Sequence, residues 1–504
     1  MWMLVFSLLP FALLAYLLVI REFSAAKALA AVYAVLVTIL FFVFQNPLSL
    51  IASATAKGVL LAGEVFLIIL GVLLIFSLLK HSGKIDALKE FFLKYHSDPR
   101  VHIILIGWFF VAFLEGIAGF GAPAAIAAPL LVAIGVRPVA AVVVTLIADS
   151  AAVVFGAFGT PVIVGLQGAL VGTDLTIATM TTAVIAGAFS VIVPFIMLVV
   201  HAKLSKEPLR SVLPYTWFAL ISGLVFAVPF VLTTIFFGPE LPSVIAPAVG
   251  LCIMIGLLSL GVFGKKARIP SVKPVLGVLF PYAIVVFLLA SSRANVFGFG
   301  DLLRSLGVTV TLANEVTHFI SLYTPGALII TAFLLSLLFL RPKKSLLKSA
   351  SMDAIHKSST ALMALLFAIA FAQLIVFSGH NGLPGIPSVI AQSLSGTGVW
   401  YVFLAPLIGA FGSFVAGSAT VSNLMLASVQ QQAALSAGVP ESVVIALQAI
   451  GASAGNMIAI HNIVAVLAVV HLSRGMPTIL KTNSVVVLGY CLLASVIVFL
   501  ALPA

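Results

Sequence analysis

Three acidic residues are placed where they could bind and release protons inside an apolar chain. Glu64, Glu115 and Asp149 lie within long hydrophobic stretches, whereas the other acids fall in polar connecting segments. A charged carboxylate at the centre of a bilayer costs about 2.5–3.5 kcal/mol on insertion scales, so an acid kept there is usually functional or protonated. Each of the three is a candidate proton-coupling residue. Asp149, beside Ser150, is favoured over Glu115, and Glu64 could instead be a solvated residue near the outer end of a span.

One histidine could extend this set into the second half of the chain. His461 lies in an apolar stretch that also contains Ser453, Asn456 and Asn462. Imidazole titrates near neutrality, so His461 is a fourth candidate for proton coupling. A lone helical histidine can equally be a packing residue that is satisfied by a hydrogen bond.

Small and hydroxyl-bearing residues offer a second kind of chemistry, the binding of an anion. No Lys or Arg is expected at membrane depth, so backbone N–H groups at the N-termini of half-helices, helped by polar side chains, are the remaining donors. The same residues could simply let helices pack closely. The candidate binding residues are Gly119, Gly121, Ala122, Ser150, Thr160, Gly417, Ser418, Thr420, Ser422, Asn423, Ser453 and Asn456.

Membrane-spanning helices are the elements that must position these residues. Of 504 residues, 62% are apolar and 8% charged, whereas soluble domains are near half apolar and a quarter charged. A crossing helix needs about 20 apolar residues, which leaves no room for a sizeable soluble domain. Twelve runs of spanning length cover residues 3–20, 28–44, 59–79, 138–165, 173–200, 213–237, 241–263, 275–291, 325–340, 359–378, 442–470 and 483–502.

Two further apolar stretches, 101–136 and 399–437, are too long for one ordinary helix. Each has a Gly-rich or Ser/Thr-rich interruption near its middle. We predict two re-entrant hairpins, although 399–437 could also hold two full spans. Each hairpin is followed by an apolar segment broken by small and polar residues, 138–165 and 442–470. Non-helical backbone survives at membrane depth only where it is buried in protein or lines a watery cavity, so these interruptions indicate a site.

The two halves of the chain match at an offset of about 300 residues. Gly119 and Gly156 are 37 residues apart, and Gly417 and Gly455 are 38 apart. This predicts an inverted repeat, the layout of many secondary transporters, whose sites lie where discontinuous helices meet. The predicted organisation is a first repeat over 1–210, connecting scaffold helices over 211–300 and a second repeat over 301–504.

The basic residues predict the orientation of these elements. With the N-terminus outside, the first hairpin opening inside and the second opening outside, 22 of 25 Lys and Arg residues fall on the inner face. Such a bias is typical of cytoplasmic loops. It accounts for the net charge of +11 without a nucleic-acid partner. We expect a multi-pass protein of a prokaryotic plasma membrane with both termini outside, and Lys57, Arg293 and Arg304 on the outer face.

The polar segment 292–324 is ambiguous in this topology. It could form an amphipathic helix on the outer surface. Alternatively, it could be the counterpart of helix 3–20 that the repeat requires.

Three blocks of sequence carry a specific resemblance. Glu115-Gly-Ile-Ala-Gly-Phe-Gly-Ala-Pro123, Ile147-Ala-Asp-Ser150 and Phe155-Gly-Ala-Phe-Gly-Thr-Pro161 resemble the signature of the lactate permease family, and 412–423 and 451–462 occupy the matching places in the second half. The resemblance implies a carrier of lactate or glycolate coupled to protons. The family usually has an acid where Ala419 stands and a Ser-Pro-Gln run near Ala459 to His461. A divergent member carrying another small carboxylate therefore fits too.

The residues and the resemblance together predict a secondary active transporter of a small monocarboxylate, driven by protons. A sodium-coupled carboxylate carrier or a cation/proton antiporter of similar architecture is the alternative, because the same hydroxyl and amide groups could hold a cation. A membrane-embedded enzyme is disfavoured, since the sequence has no nucleotide-binding loop and no metal-ligand spacing. We expect no cofactor and no bound metal; the partners are the substrate, the coupling ion and the lipid bilayer, and an oligomer is compatible with the sequence.

Overall fold

A computed structural model of the chain describes residues 2–96, 98–119, 122–170, 174–263, 271–312, 316–380, 382–472 and 474–502. Helices account for nearly all of these residues. Their bounds are α1 Trp2–Ala15, α2 Ala25–Phe42, α3 Leu48–His81, α4 Lys84–Tyr95, α5 Pro99–His102, α6 Val111–Ile117, α7 Ala122–Ala133, α8 Pro138–Val153, α9 Gly156–Thr160, α10 Leu175–Ser205, α11 Thr216–Phe237, α12 Pro242–Leu260, α13 Lys273–Arg293, α14 Phe299–Ser305, α15 Pro325–Leu340, α16 Lys344–Val376, α17 Ile386–Leu394, α18 Tyr401–Ala416, α19 Ala419–Ala437, α20 Glu441–Gly455, α21 Ile460–Val469 and α22 Met476–Ala501.

Short segments of tighter or wider helix connect several of these elements. The π-helical segments are Tyr16–Ile20, Ile103–Phe110 and Pro161–Leu166, and the 3₁₀ segments are Leu209–Tyr215, Val296–Gly298, Ser395–Trp400 and Asn456–Ile458. In the described part of the chain, 13 helices are long and apolar enough to cross a membrane. The predicted class, a helical protein with many membrane crossings, is confirmed. Two of the 13, Pro99–Ile117 and Ile386–Ala416, include first arms of the predicted hairpins. Pro325–Leu340 has its predicted bounds and, with 16 residues, belongs to the shorter apolar helices.

The segment 292–324 differs from both predictions made for it. After α13 ends at Arg293, the chain forms the short helix α14 and then two antiparallel strands, β1 Gly307–Leu312 and β2 Val316–Ser321. It is therefore neither a spanning helix nor one continuous amphipathic helix. The run Val308-Thr-Val-Thr311 consists of β-branched residues, which favour a strand because their side chains fit its pleated surface.

The two predicted hairpins form antiparallel helical arms that reverse at a glycine. The first joins Pro99–Ile117 to α7, with Gly119 at φ +57°, and the second joins α18 to α19, with Gly417 at φ +66°. Both glycines adopt the left-handed conformation, which glycine reaches without strain. Helix α7 has 12 residues and is about 18 Å long at 1.5 Å per residue, well short of a hydrocarbon core of about 30 Å. That each hairpin enters and leaves the membrane on the same side stays a prediction.

Both predicted broken helices are interrupted. Helix α8 ends at Val153, and Ala157, Phe158 and Gly159 have φ values of 44°, 54° and 79° before the π-helical segment begins at Pro161. In the second half, α20 ends at Gly455, a 3₁₀ turn follows, and α21 resumes at Ile460. Since the backbone leaves helical geometry at both places, peptide groups there lack their usual helical partners.

Each half packs its hairpin against the interrupted helix of the other half. Helix α19 contacts the segment Pro161–Leu166, α7 contacts α21, and α8 contacts the turn Asn456–Ile458. Helices α3 and α16 pack against each other along their lengths to one side of this assembly, with α15 beside α3. The two hairpin tips and the two interruptions are thereby brought to one place.

Candidate functional site

A small cavity of about 30 Å³ lies between the hairpin tips and the helix interruptions. A volume of this size holds about one or two water molecules. Seven of the residues singled out in the sequence line it: Glu115, Gly119, Thr160, Gly417, Ser418, Thr420 and Asn456. Residues that lie some 300 positions apart in the chain therefore form a single site.

Glu115 lines this cavity and is paired with a second carboxyl group, that of Asp149, which lies behind the cavity wall. Glu115 and Asp149 are 5% and 1% exposed, and their carboxyl groups are close enough to interact electrostatically. Gly156 covers the pair, because a Cβ at that position would lie 2.3 Å from Oε1 of Glu115. Glu115 Oε2 and Asp149 Oδ1 have no hydrogen-bond partner among the described residues. The pair is thus buried and only partly satisfied.

Asn456 connects the acid pair to the second half of the chain. Its Nδ2 donates to Oδ2 of Asp149 over 3.2 Å, and its own Oδ1 accepts a hydrogen bond of 2.8 Å from Nδ2 of Asn462. All three side chains are at least nine-tenths buried. Because Asn462 fixes the orientation of the Asn456 amide, the nitrogen faces the acid. One oxygen of Asp149 is held and the other is left open.

Several predicted hydroxyl groups are engaged by backbone carbonyls. Ser150 donates to the carbonyl of Ile147 over 2.6 Å, and Ser422 donates to that of Gly409 over 2.8 Å. Ser453 donates to the carbonyl of Ser150, which joins the two interrupted helices. A hydroxyl has one donor, so in this arrangement these three contribute helix packing rather than a free donor to the cavity.

The start of α19 contributes two predicted side chains, Thr420 and Ser418, to the cavity wall. Thr420 is buried there at the start of α19, where the first backbone N–H groups of a helix have no internal acceptor. Ser418 caps this helix by accepting a hydrogen bond from the N–H of Val421. Thr160 also lines the cavity, with its hydroxyl on the carbonyl of Ala157 at 2.5 Å. None of the described lining residues is Lys or Arg.

Asn423 is placed beside the cavity by a polar network that the sequence reading missed. Its Nδ2 donates to the carbonyl of Pro161 over 2.9 Å, and its Oδ1 accepts from Gln448 over 3.3 Å. Gln448 also contacts Ser422 and accepts from Gln430, which in turn accepts from the hydroxyl of Tyr401. The signal was present in the sequence, because Gln448 stands 299 residues after Asp149, near the repeat offset. The predicted uncharged polar residues at depth were Ser, Thr and Asn, and Gln448 was not among them.

The remaining predicted residues fall in different places. The imidazole of His461 lies against Gly417, where a Cβ would be 1.2 Å from its Cε1, but the side chain is exposed and does not line the cavity. Glu64 lies apart from the acid pair, on the wall of a separate and larger cavity. Gly121 lies outside the described residues, and Ala122 is the first residue of α7. Among the described residues, no cluster of His, Cys, Asp and Glu could hold a metal ion.

Comparison with known proteins assigns the chain to a family. It matches the sequence profile described as L-lactate permease over residues 3–271 and 286–503. The chain belongs to the L-lactate permease family. It is 27% identical to a putative L-lactate permease of Haemophilus influenzae over 97% of both chains. It is also 28% identical to glycolate permease GlcA of Escherichia coli, with 87% of this chain and 84% of the relative covered.

The expected family is thereby confirmed over nearly the whole chain. An L-lactate permease of Escherichia coli is 28% identical, covering 80% of this chain and 78% of the relative. Among solved structures, the YdaH transporter of Alcanivorax borkumensis matches with a TM-score of 0.47 and 14% identity, over 90% of this chain and 87% of that one. In this member of the L-lactate permease family, the acid pair and the hairpin tips are the features from which we infer a function.

Proposed function

We propose that this chain is a secondary active transporter of a small monocarboxylate of the lactate or glycolate type, driven by protons. The observation that carries the proposal is the buried pair Glu115 and Asp149 at a cavity that no described Lys or Arg lines. The names of the relatives, lactate and glycolate permeases, supply the substrate class. These relatives are named as permeases, which favours transport over catalysis.

The acid pair is suited to hold a transferable proton. Two negative charges so close together in a poorly hydrated interior repel strongly, and no described cation lines the cavity to offset them. The pair is therefore expected to keep at least one proton, with the open oxygens Glu115 Oε2 and Asp149 Oδ1 as the places where a further proton binds. Asn456 holds the other oxygen of Asp149 as a hydrogen-bond acceptor. Protonation of the pair offsets the charge of an entering anion.

The start of helix α19 is the favoured place for the substrate carboxylate. The free N–H groups of a first helical turn and the positive end of the helix dipole attract an anion. Here that turn begins at Ala419, a residue without charge, and the hydroxyl of Thr420 lies beside it on the cavity wall. When the site holds both a proton and an anion, it carries less net charge across the low-dielectric part of the membrane than it would with the anion alone.

The moving part of the transporter would be the two hairpins with the two interrupted helices. Their mutual packing and the hydrogen bonds Asn456 to Asp149 and Asn423 to Pro161 tie them together across the halves. Helices α3, α15 and α16 would form the fixed scaffold. The inverted repeat over 1–210 and 301–504, the linking helices over 211–300 and both termini outside complete the proposed arrangement.

Purified protein in liposomes provides the test. Uptake of labelled lactate or glycolate is measured with a pH gradient, acidic outside, in sodium-free buffer, and the substrate is recovered to check that it is chemically unchanged. Uptake under these conditions, abolished by a protonophore, supports proton coupling. Uptake that requires sodium at equal pH would replace the proton with sodium, and altered substrate would replace transport with catalysis.

A further inference from the structure

A second, much larger cavity of about 860 Å³ lies between the proposed scaffold and the proposed moving part. Helices α3 and α16 form one wall, and α10 and the segment after Pro161 form the opposite wall. Lys57 and Arg293, both predicted on the outer face, contribute to it. The cavity is therefore on the outer side of the proposed topology.

Consecutive residues line this outer cavity and the small cavity between the hairpin tips, which we call the inner cavity. Pro161 lines the small cavity, and the next residues, Val162 to Val164, line the large one. Gln373 of α16 donates from Nε2 to the carbonyl of Gly168 on this segment, while its Oε1 is buried without a hydrogen-bond partner among the described residues. A solute in the outer cavity would thus stand one short helical segment away from the acid pair.

The two cations of the outer cavity are not equivalent. Arg293 is paired with Glu240 at 2.7 Å, donates to the carbonyl of Tyr323 at 3.1 Å and stacks on that ring. Its charge is offset and its guanidinium fork is occupied. Lys57 lies over the ring of Phe377, 4.8 Å from the ring centre. A lysine ammonium has three donors, and a contact with a ring face leaves donors directed elsewhere.

The negative residue on the same helix lies deeper in the cavity. Glu64 follows Lys57 by seven residues, so it is on the same face of α3, about 10.5 Å further along at 1.5 Å per residue. A carboxylate that contacts the ammonium group of Lys57 would lie further from the carboxylate of Glu64. Because Coulomb energy falls with distance, the attraction to Lys57 would exceed the repulsion from Glu64.

We propose that the outer cavity is a first binding site for the substrate monocarboxylate, and that Lys57 contacts the carboxylate there. This inference rests on the proposed function. The anion would be drawn to Lys57 from the outer solution and held in a cavity wide enough to keep it hydrated. It would then pass along the segment that begins at Pro161 to the smaller site at the acid pair.

Uptake into intact cells, where the orientation of the protein is fixed, tests the role of Lys57. The variants are Lys57→Gln and Lys57→Arg, with Arg304→Gln as the control. Arg304 is another cation predicted outside; it is half-exposed, does not line the cavity and contacts the cavity wall through Tyr323. For Lys57→Gln, we expect the KM for external lactate to rise roughly tenfold, the size of effect that loss of one charge-assisted hydrogen bond produces. Vmax should stay within twofold, Lys57→Arg should restore most of the affinity, and Arg304→Gln should leave KM unchanged.

A labelling experiment separates this proposal from the transport function itself. Thr176 lines the cavity with an exposed side chain, so Thr176→Cys, in a background with Cys252 and Cys491 replaced by Ala, can react with a membrane-impermeant maleimide. Lactate in the medium should slow that reaction when Lys57 is present and should not when it is Gln. Protection without any uptake would overturn the proposed function and keep this site. Unchanged KM in Lys57→Gln, or equal protection in both backgrounds, would overturn the site.

Discussion

Asn456 donates a hydrogen bond of 3.2 Å to Asp149, joining the interrupted helix of the second half to that of the first. The acid and its partner stand 307 residues apart. Because the contact bridges both halves, movement of either interruption would disturb the environment of the acid.

Replacing Asp149 with Asn should abolish uptake driven by a pH gradient, to the background of empty liposomes, because an amide cannot carry the coupling proton. Exchange of labelled for unlabelled lactate across the membrane should survive, since exchange needs no net proton movement. Both rates are measured in the same liposome preparation. Glu22→Gln, at an exposed acid that lines neither cavity, is the control that keeps gradient-driven uptake. Uptake by Asp149→Asn at the normal rate would remove Asp149 as the coupling site.

Replacing Asn456 with Ala should slow the exchange of labelled for unlabelled lactate strongly in the normal protein and little in Asp149→Asn. The reason is that the two residues act through one hydrogen bond, and effects on a shared interaction are not additive. Loss of the donor leaves a buried acceptor unsatisfied, at a cost of about 1–3 kcal/mol. The four exchange rates of the double-mutant cycle give the coupling energy. A value near zero would mean that Asn456 acts independently of Asp149.

Gly156→Ala should damage the acid pair sterically. Its Cβ would lie 2.3 Å from Oε1 of Glu115, and overpacking of this kind costs about 1–3 kcal/mol. We expect a lower unfolding temperature in detergent and a loss of uptake. Gly489→Ala is the matched control, because a Cβ there meets nothing within 4 Å. Equal stability and activity of the two variants would contradict the described packing of Glu115.

Asn423→Ala should destabilise the protein by about 1–3 kcal/mol, because it leaves the buried partners of Asn423 unsatisfied. The affected groups are the carbonyl of Pro161 and the amide of Gln448. Thermal unfolding in detergent measures the change against Gln392→Ala, whose side chain is exposed. If the two variants unfold at the same temperature, the hydrogen bonds between the second hairpin and the first interrupted helix contribute nothing to the stability of the protein.

Dicarboxylates should compete poorly with the transported substrate. None of the described residues lining the inner cavity is a cation that could offset a second negative charge, and burying an unpaired charge is costly. A competition panel against labelled lactate uptake, with glycolate, pyruvate, malate and succinate, measures the preference. Inhibition by succinate as strong as that by unlabelled lactate would contradict a site built for single negative charges.

The sequence was sufficient for the membrane class, the interrupted helices and most residues of the inner cavity. Length and apolarity determine spans, and glycines with polar neighbours mark where a helix stops. It was not sufficient to predict which helices pack beside one another. Glu64 and Asp149 look alike as acids in apolar runs, and only the packing of α3 away from α8 separates them into two cavities.

Two features of the structure were not predicted from the sequence, and each has a physical reason. Asn423 and Ser422 were predicted from the sequence, but their shared partner Gln448 was not, because spacing along the chain does not show which buried polar side chains hydrogen-bond to each other. The strands at 307–312 and 316–321 were missed because the segment was judged by its polarity. The alternating Val and Thr residues of the first strand favour extended backbone.

The small volume of the inner cavity has an energetic consequence. A hydroxy acid is several times the size of a water molecule, and the cavity of about 30 Å³ does not admit it. The proposed substrate could bind there only if the residues around the cavity separated, so part of its intrinsic binding energy would be consumed in opening the protein. Affinity measured at equilibrium should accordingly be weaker than the final contacts imply, and the spent energy is what would lower the barrier to translocation.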